Sequence, residues 1–344
     1  MSNAVVLGFS GGVDSACAAE MLRRRGHEVR CLYLETGSGE AEAARACAKA
    51  MGLPLEVIDA RAELEKYVCR PFAEAYKRGE TPSPCVLCNP EVKLRMLCEY
   101  ADSLGVEHIA TGHYARAEGG ALFMGRPESD QSYMLCRILP EQLRRLVLPL
   151  GGMIKAETRA LAEKWGLPAA KKPDSMELCF VPDGDYAAWL ERRGDAPGPG
   201  ELIFEGRAVA RHGGIHRYTL GQRRGLGYAA GRRVYVSEIR PETGEVVLAE
   251  GAGLFVSEFT AGDMRWLVPA PEEPFDCAVR IRHSRALAPA RALPLPAAGF
   301  ASPRPLPCAR PRPARPPRSM SVPRSWEAVS CCMIQRIQIR YIFC

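Results

Sequence analysis

The chain reads near its start Val5-Val6-Leu7-Gly8-Phe9-Ser10-Gly11-Gly12-Val13-Asp14-Ser15, and this stretch decides its fold. Residues 4–9 have the length and β-branched content of a buried strand, and residues 16–25 have the apolar spacing of a helix that ends at Gly26. Between them, two glycines let the backbone come close to a ligand, and the helix start offers unpaired N–H groups. The stretch therefore predicts a strand, a phosphate-binding loop and a helix.

Two common phosphate motifs are excluded. No Gly-Lys-Ser/Thr follows the loop, so it is not a P-loop, and the Gly-x-Gly-x-x-Gly spacing of dinucleotide sites is absent. The simplest alternative is a tight turn at Gly11 and Gly12, with Asp14 and Ser15 capping the helix. The whole Ser10–Ser15 string, however, resembles the pyrophosphate loop of ATP pyrophosphatases, which adenylate a carbonyl oxygen.

Strands and helices alternate after this loop. A strand is predicted over residues 28–34, an Ala-rich helix over 39–52 and a third strand over 56–59. This alternation indicates an α/β fold, a doubly wound parallel sheet with helices on both faces, in which ligands bind at the carboxyl ends of strands. A later strand over 108–111 runs into Gly112, which is either a second nucleotide contact or a plain strand-end glycine.

Composition divides the rest of the chain. We predict the α/β domain over residues 1–198, a small β domain with glycine turns over 199–265, and the start of a C-terminal β domain over 266–283. Residues 284–344 contain ten Arg, eleven Pro and one acid without any helix or strand period, and we assign them no fold. They are either a disordered basic arm or, as we favour, a frameshifted translation of a GC-rich gene.

Charge and cysteine content narrow the class of protein. The net charge is +6, but residues 284–344 carry +9, so the remainder carries −3 and gives no argument for nucleic-acid binding. We find no secretory signal and no apolar run long enough to cross a membrane, and we expect a cytoplasmic protein. The 14 cysteines lack the spacing of a secreted disulfide scaffold, so most should be reduced.

Three cysteines stand apart because each follows a turn. Cys85 and Cys88 lie in a loop that two prolines make rigid, and Cys179 lies in the loop that begins Lys171-Lys172-Pro173. A single Cys-x-x-Cys motif is a metal site, a redox-active pair or a chance spacing, and the motif alone does not decide among them. Because there is no second such motif in the sequence, a four-cysteine zinc site is excluded. A thiolate beside two lysines would have a lowered pKa.

Six motifs in order make one resemblance specific. They are Ser10–Ser15, Thr81–Lys93, Ala110–Tyr114, Asp130–Tyr133, Asp174–Phe180 and Tyr218–Gly227. Over residues 1–283 the chain resembles the bacterial tRNA-specific 2-thiouridylases. The resemblance implies an ATP-pyrophosphatase domain of the PP-loop type (adenine nucleotide alpha hydrolase-like), then a small β domain and a C-terminal β-barrel, which is disrupted here.

The resemblance also implies three groups of functional residues. ATP would be bound by Gly8, Phe9, Ser10, Gly11, Gly12, Val13, Asp14, Ser15, Leu34 and Gly112, with Mg²⁺ on Asp14. The target base would be contacted by Ser83, Pro84 and Cys85. The tRNA would be contacted by Ser129, Asp130, Gln131, Arg282 and His283.

The implied reaction is ATP-dependent 2-thiolation of the wobble uridine in tRNAs for Lys, Glu and Gln. Cys179 would carry a persulfide supplied by a cysteine desulfurase or sulfur-relay protein, and Cys88 would attack it, leaving a Cys88–Cys179 disulfide. A variant of this mechanism binds a [4Fe-4S] cluster through Cys85, Cys88 and Cys179. The alternatives are an ATP-dependent amidoligase or synthetase that adenylates a small acid, and a catalytically dead tRNA-binding protein.

Overall fold

The computed structural model describes residues 3–174, 178–181, 183–251, 259–262, 264–280, 287–294 and 336–338. The chain divides into two compact units. Unit 1 contains Met1–Arg61, Cys85–Ser175 and Ser257–Cys344, and unit 2 contains Ala62–Pro84 and Met176–Val256. The domain limits predicted at residues 198, 265 and 283 remain predictions.

Unit 1 is built on a parallel sheet. Its strands are β1 (Ala4–Gly8), β2 (Glu28–Glu35), β3 (Leu55–Asp59), β4 (His108–Ala110) and, at the edge, β7 (Leu146–Val147). Their order is β3-β2-β1-β4-β7, and every neighbouring pair is parallel. The predicted doubly wound α/β fold is confirmed.

Helices cover both faces of this sheet. They are α1 (Val13–Arg24), α2 (Ala41–Ala50), α6 (Arg95–Ser103), α7 (Pro140–Arg145) and α8 (Lys155–Lys164), with a β5–β6 hairpin (Ala115–Glu118 and Ala121–Met124) between α6 and α7. Alternate residues of β1 point to opposite layers: Val5 and Leu7 pack with α1, whereas Val6 packs with α6. Because β1 is buried on both faces, its sequence is a continuous apolar run rather than an alternating one.

Unit 2 combines helices with an antiparallel-rich sheet. Its helical part contains most of α3 (Arg61–Leu64), a π-helical turn at Glu65–Cys69, α4 (Arg70–Lys77) and α9 (Tyr186–Arg192). The sheet has the order β10-β11-β8-β9, formed by Val234–Arg240, Glu245–Glu250, Gly200–Phe204 and Arg207–His212. Leu202, Val236 and Leu248 lie in the core of this sheet. The short strands and glycine turns that the sequence predicted here are present.

The expectation for residues 284–344 is not borne out. Ala288–Ala292 form strand β14, which pairs antiparallel with β13 (Phe275–Val279). Arg336–Gln338 form β15, which pairs with β12 (Thr260–Gly262). Strand pairing uses backbone groups, so an Ala- and Pro-containing segment can form an edge strand without a β-propensity signal.

The helices in the described part of the chain are all too short or too polar to cross a membrane.

Candidate functional site

The loop between β1 and α1 lies where the strand order reverses. β1 pairs with β2 on one side and with β4 on the other, which makes the carboxyl ends of β1 and β4 the switch point of the sheet. Gly112 follows β4, and a Cβ added to it would lie 3.1 Å from the carbonyl carbon of Asp14. The two segments predicted to bind ATP are therefore in contact at the ligand-binding edge of this sheet type.

The loop geometry requires glycine at one position. Gly11 has a φ of +71°, and a Cβ there would lie 2.8 Å from the backbone of Ala44. The Ser10 hydroxyl accepts a hydrogen bond from the Gly12 N–H at 3.3 Å, and the Ser15 hydroxyl donates to the Gly12 carbonyl at 3.0 Å. These contacts hold an open turn in front of α1, where backbone N–H groups can meet phosphate oxygens.

The other predicted ATP residues frame this loop. Gly8 ends β1, the buried Phe9 donates its backbone N–H to the Leu32 carbonyl at 2.9 Å, and Val13 is buried at the start of α1. Leu34 lies near the carboxyl end of β2 and is partly buried. All of the predicted ATP residues therefore lie at one edge of the sheet.

Asp14 is held by two side chains that the sequence did not reveal as partners. The Tyr114 hydroxyl donates to Asp14 Oδ1 at 2.6 Å, and burial together with the Asp14 charge raises the pKa of Tyr114. Lys155 Nζ lies 2.8 Å from Oδ1 and 2.7 Å from Oδ2 of the same carboxylate. Tyr114 ends the motif Ala110–Tyr114, but nothing in the sequence pairs Tyr114 or Lys155 with Asp14.

The Lys155 ammonium has a second acidic partner. It lies 2.7 Å from Asp174 Oδ1, and Arg159 Nη2 lies 2.6 Å from the same oxygen. Lys155 and Arg159 favour the charged carboxylate and lower the pKa of Asp174, although partial burial acts in the opposite direction. Two residues earlier in the chain, Lys172 pairs with Glu40 at 2.8 Å. These ionic contacts tie the segment 171–174 to the rest of unit 1.

The predicted tRNA residues Ser129, Asp130 and Gln131 brace this arrangement. The Ser129 hydroxyl accepts the Lys155 backbone N–H at 3.0 Å, and Gln131 Oε1 accepts the Tyr114 N–H at 3.1 Å. Asp130 is buried and its Oδ2 lies 2.7 Å from Arg280 Nη1. The side chains of these three residues therefore have structural partners within unit 1, and a tRNA contact by the segment stays a prediction.

Cys88 is helical, which corrects the predicted loop. Helix α5 (Pro84–Cys88) continues through a π-helical stretch (Asn89–Leu94) into α6, and Cys88 is 5% exposed. Pro84 occupies the first position of α5, where its missing N–H costs nothing, so the proline marks a helix start rather than an extended loop. Ser83, immediately before it, is partly exposed.

The stretch after Cys88 is fixed by buried amides. Asn89 Nδ2 donates to the Met134 carbonyl at 2.8 Å, and Gln142 Nε2 donates to the Pro90 carbonyl at 2.8 Å. Asn89 is 1% exposed, and its Oδ1 has no hydrogen-bond partner in the described structure. The backbone that carries Cys88 is thus anchored to two neighbouring segments.

Cys85 lies close enough to Tyr133 to affect its ionisation. Burial, with Cys85 nearby, raises the pKa of Tyr133 to about 12. The Arg280 guanidinium lies 5.4 Å from the centre of the same ring. Cys85 is partly exposed, in contrast to the buried Cys88.

Cys179 is exposed beside a strongly packed residue. Phe180 is 8% exposed and makes edge-to-face contacts with Phe72 and Trp189, with ring centres 5.3 and 5.2 Å apart. Tyr76 and Tyr186 extend the same aromatic cluster, stacked at 5.0 Å. Unit 2 therefore holds the backbone next to Cys179 while leaving the thiol of this residue accessible.

Several other cysteines are unsuited to nucleophilic chemistry. Burial raises the pKa of Cys17 to about 11 and that of Cys31 to about 12, and it also raises the pKa of Cys47 and Cys98. A thiol with a raised pKa supplies little thiolate at neutral pH. Exposure thus distinguishes Cys179 from these four.

His113 is kept neutral at the edge of the site. Burial and the positive charge of Lys93 lower its pKa to about 3, and its Nδ1 lies 2.8 Å from the Thr111 hydroxyl. A neutral imidazole can offer one donor and one acceptor but carries no charge toward a phosphate.

The residues that the structure describes do not form a ready metal site. Within the described ranges no group of three or more His, Cys, Asp or Glu side chains is placed to hold a metal ion. Both oxygens of Asp14 accept from Lys155, so Mg²⁺ on Asp14 would require Lys155 to move. The [4Fe-4S] alternative gains no support from the described residues.

Some predicted residues cannot be placed. Arg282 and His283 lie outside the described residues, and so do residues 175–177 of the Cys179 motif.

Comparison with known proteins gives the family. A model described as the tRNA methyl transferase HUP domain matches residues 3–183, and one described as the tRNA methyl transferase PRC-barrel domain matches residues 190–250. The chain is 39% identical to the tRNA-specific 2-thiouridylase MnmA of Syntrophotalea carbinolica, over 82% of this chain and 86% of the relative. It is 43% identical to the protein of the same name from Methylorubrum extorquens, over 83% of this chain and 81% of the relative.

Solved structures resemble the chain more distantly. An NMN synthetase from Francisella tularensis matches 56% of this chain and 73% of its own, with 17% identity and a TM-score of 0.37. A 4-thiouridine synthetase in complex with RNA and ATP matches 55% of this chain and 50% of its own, with 20% identity and a TM-score of 0.36. Likenesses of this size carry no argument about function.

The curated relatives extend over both matched domains and share about two residues in five with this chain. Identity of this level over more than four fifths of the chain shows family membership and not only a shared fold. The chain belongs to the tRNA-specific 2-thiouridylase family.

Proposed function

We propose that this protein thiolates the wobble uridine of tRNAs for Lys, Glu and Gln at position 2, in a reaction that consumes ATP. The observation that carries the proposal is the Ser10–Ser15 loop, which meets Gly112 at the switch point of the sheet in a chain whose curated relatives are 2-thiouridylases. ATP is the substrate that this loop suits, and Mg²⁺ accompanies ATP. The small-acid synthetase and the inactive tRNA-binding protein are not favoured by these relatives.

The first step is adenylation of the base. The uridine oxygen at position 2 attacks the α-phosphorus of ATP, a P–O bond forms to the base, and pyrophosphate leaves. The loop N–H groups next to Gly11 and Gly12 would bind phosphate oxygens, and the neutral His113 adds no charge there. The step converts the carbonyl oxygen of the base into part of a good leaving group, AMP.

The second step is sulfur transfer. The terminal sulfur of a persulfide on Cys179 attacks carbon 2, and AMP leaves with the former carbonyl oxygen. The Cys88 thiolate then attacks the Cys179 sulfur, the sulfur–sulfur bond breaks, and its electron pair stays on the sulfur of the base. This leaves 2-thiouridine and a Cys88–Cys179 disulfide, which an external thiol must reduce before the next turnover.

The geometry of each cysteine suits its proposed role. The exposed Cys179 thiol can receive sulfur from a cysteine desulfurase or a sulfur-relay protein, because a protein donor needs an accessible acceptor. The buried Cys88, on an anchored helical stretch, is protected from bulk oxidants until the disulfide forms. Ser83, just before this helix, and Pro84 and Cys85, at its start, are the proposed contacts of the target base.

The proposal is tested by nucleoside mass spectrometry. An unmodified tRNA-Lys transcript is incubated with the protein, ATP, Mg²⁺, a cysteine desulfurase and cysteine. We expect 2-thiouridine from the wild type, none from Cys179→Ser, and none from Cys88→Ser, in which the base sulfur stays bonded to the Cys179 sulfur. Cys98→Ser is the matched control, because burial raises the pKa of that thiol and no role is proposed for it.

The result also separates the alternatives. If the wild type binds ATP but forms no 2-thiouridine, the thiolation proposal is wrong, and unchanged ATP–pyrophosphate exchange with a small acid would favour the synthetase. Binding of tRNA without any ATP–pyrophosphate exchange would indicate an inactive tRNA-binding protein.

A further inference from the structure

Lys155 has all of its hydrogen-bonding capacity engaged by two carboxylates. An ammonium group has three donors, and Lys155 Nζ lies 2.8 and 2.7 Å from the two oxygens of Asp14 and 2.7 Å from Asp174 Oδ1. Any additional anion that binds Lys155 must displace one of these contacts. Because Asp14 belongs to the proposed ATP loop, phosphate oxygens held there would compete for the same ammonium group.

Asp14 is the partner that is harder to displace. It lies in the first turn of α1 and also accepts the Tyr114 hydroxyl at 2.6 Å. The backbone of Lys155 is fixed as well, because its N–H donates to Ser129 Oγ at the start of α8. The Asp14–Lys155 pair is therefore held by fixed elements on both sides.

Asp174 is the partner that yields more easily. It lies in a segment without helix or strand, and its side chain is 37% exposed. It also keeps a second cation, Arg159, at 2.6 Å if Lys155 leaves. Bound phosphates would in addition place negative charge near the Asp174 carboxylate and weaken its hold on Lys155 by repulsion.

We propose that Lys155 is a positioning residue that exchanges Asp174 for the phosphates of ATP, and so couples nucleotide binding to loosening of the segment 171–174. The inference rests on the proposed function, since it places ATP at the Ser10–Ser15 loop. Cys179 follows Asp174 by five residues in the chain. Loss of the Lys155 contact would thus loosen the segment that leads to the proposed sulfur carrier once ATP is bound.

The test measures ATP binding and backbone exchange on the same samples. ATP affinity is measured by calorimetry, and hydrogen exchange is followed by mass spectrometry in the peptide that covers residues 168–174. In the wild type, we expect saturating ATP to increase exchange in this peptide. Lys155→Met should exchange fast without ATP, should not respond to ATP, and should bind ATP about tenfold or more weakly, because a charge-assisted contact is lost.

A second variant separates positioning from general stability. Asp174→Asn keeps the Lys155 ammonium but weakens the attraction between this ammonium and residue 174. It should exchange fast without ATP, as Lys155→Met does, yet bind ATP as tightly as the wild type or more tightly. Lys164→Met, at the other end of α8, is the control and should match the wild type in both measurements.

Two results would overturn the inference. One is ATP binding to the wild type with no change in exchange over residues 168–174, and the other is wild-type ATP affinity in Lys155→Met. If the wild type binds no ATP, both this inference and the proposed function fail. If the exchange and affinity results are as expected but no 2-thiouridine forms, only the proposed function fails.

Discussion

Substitution of Arg280 by Met is expected to destabilise unit 1 by about 3 kcal/mol. The side chains of Arg280 and Asp130 are 2% and 0% exposed, and their charged atoms lie 2.7 Å apart. At an effective dielectric constant of about 20, unit charges at this distance attract by roughly 6 kcal/mol, and the desolvation of both groups offsets part of this energy. The substitution leaves a buried carboxylate without its counter-charge.

Asp130 would not be left without hydrogen bonds. Its Oδ1 accepts the N–H of Gly125 at 2.8 Å and that of Ser132 at 3.2 Å, and its Oδ2 accepts the Ser132 hydroxyl at 3.0 Å. We therefore expect a cost near the lower end of the range of about 3–5 kcal/mol that is typical of a broken buried pair.

The assay is a double-mutant cycle by urea unfolding, with Arg280→Met, Asp130→Asn and the double variant. The double variant should lose less free energy of unfolding than the two single losses combined, because it contains no lone buried charge. Arg45→Met is the control. Arg45 lies 3.5 Å from Glu42, and the two side chains are 50% and 88% exposed, so removal of this pair should lower the free energy of unfolding by less than about 1 kcal/mol. A loss below about 0.5 kcal/mol in Arg280→Met, or strict additivity in the cycle, would refute the reasoning.

Three further predictions use thermal or urea unfolding. Gly11→Ala should lower the free energy of unfolding by about 2 kcal/mol or more, because the left-handed backbone and the 2.8 Å approach to Ala44 both resist a Cβ. In the control Gly12→Ala the nearest neighbour of the new Cβ would be 3.3 Å away, so the loss should be less than half as large. Equal losses in the two variants would contradict this. The pKa of His113 is lowered from 6.5 to about 3 in the folded state, so the unfolded state binds this proton at a higher pH. Stability should therefore fall as the pH drops from about 6.5 toward 3. The urea midpoint of His113→Asn should fall less steeply with pH than that of the wild type, and identical pH dependence of the two midpoints would exclude the effect. Phe180→Ala should lower stability by about 3 kcal/mol through lost contacts with two rings, and an unchanged melting temperature would show that the cluster does not anchor this segment.

The parts of the fold that depend on local sequence were predictable. The apolar run of β1 and the glycines after it led to the parallel sheet, and β2 was predicted over residues 28–34 and is observed at Glu28–Glu35. The position of the Ser10–Ser15 loop at the switch point also followed, because in a doubly wound sheet the carboxyl ends of the central strands meet there.

Long-range partners were not predictable. Lys155 is 141 residues from Asp14, Tyr114 is 100 residues from it, and Arg280 is 150 residues from Asp130. Each of these contacts depends on which helices and strands become neighbours, and no period or motif in one sequence specifies that.

Local signals also misled at two places. The prolines around Cys85 suggested a rigid loop, but Pro84 starts a helix, because proline disrupts a helix interior and is tolerated in the first turn. The Ala- and Pro-rich stretch beyond residue 283 gave no strand signal, yet Ala288–Ala292 pair with β13. Edge strands depend on a partner's backbone more than on their own side chains.

The buried pair of Arg280 and Asp130 has a consequence for synthesis on the ribosome. Because 150 residues separate the two, translation at roughly 5–20 residues per second leaves Asp130 without its counter-charge for about 8–30 s after it emerges. During that interval Asp130 is a carboxylate without its counter-charge in the nascent unit 1. The packing of unit 1 is therefore completed only after residue 280 has been synthesised.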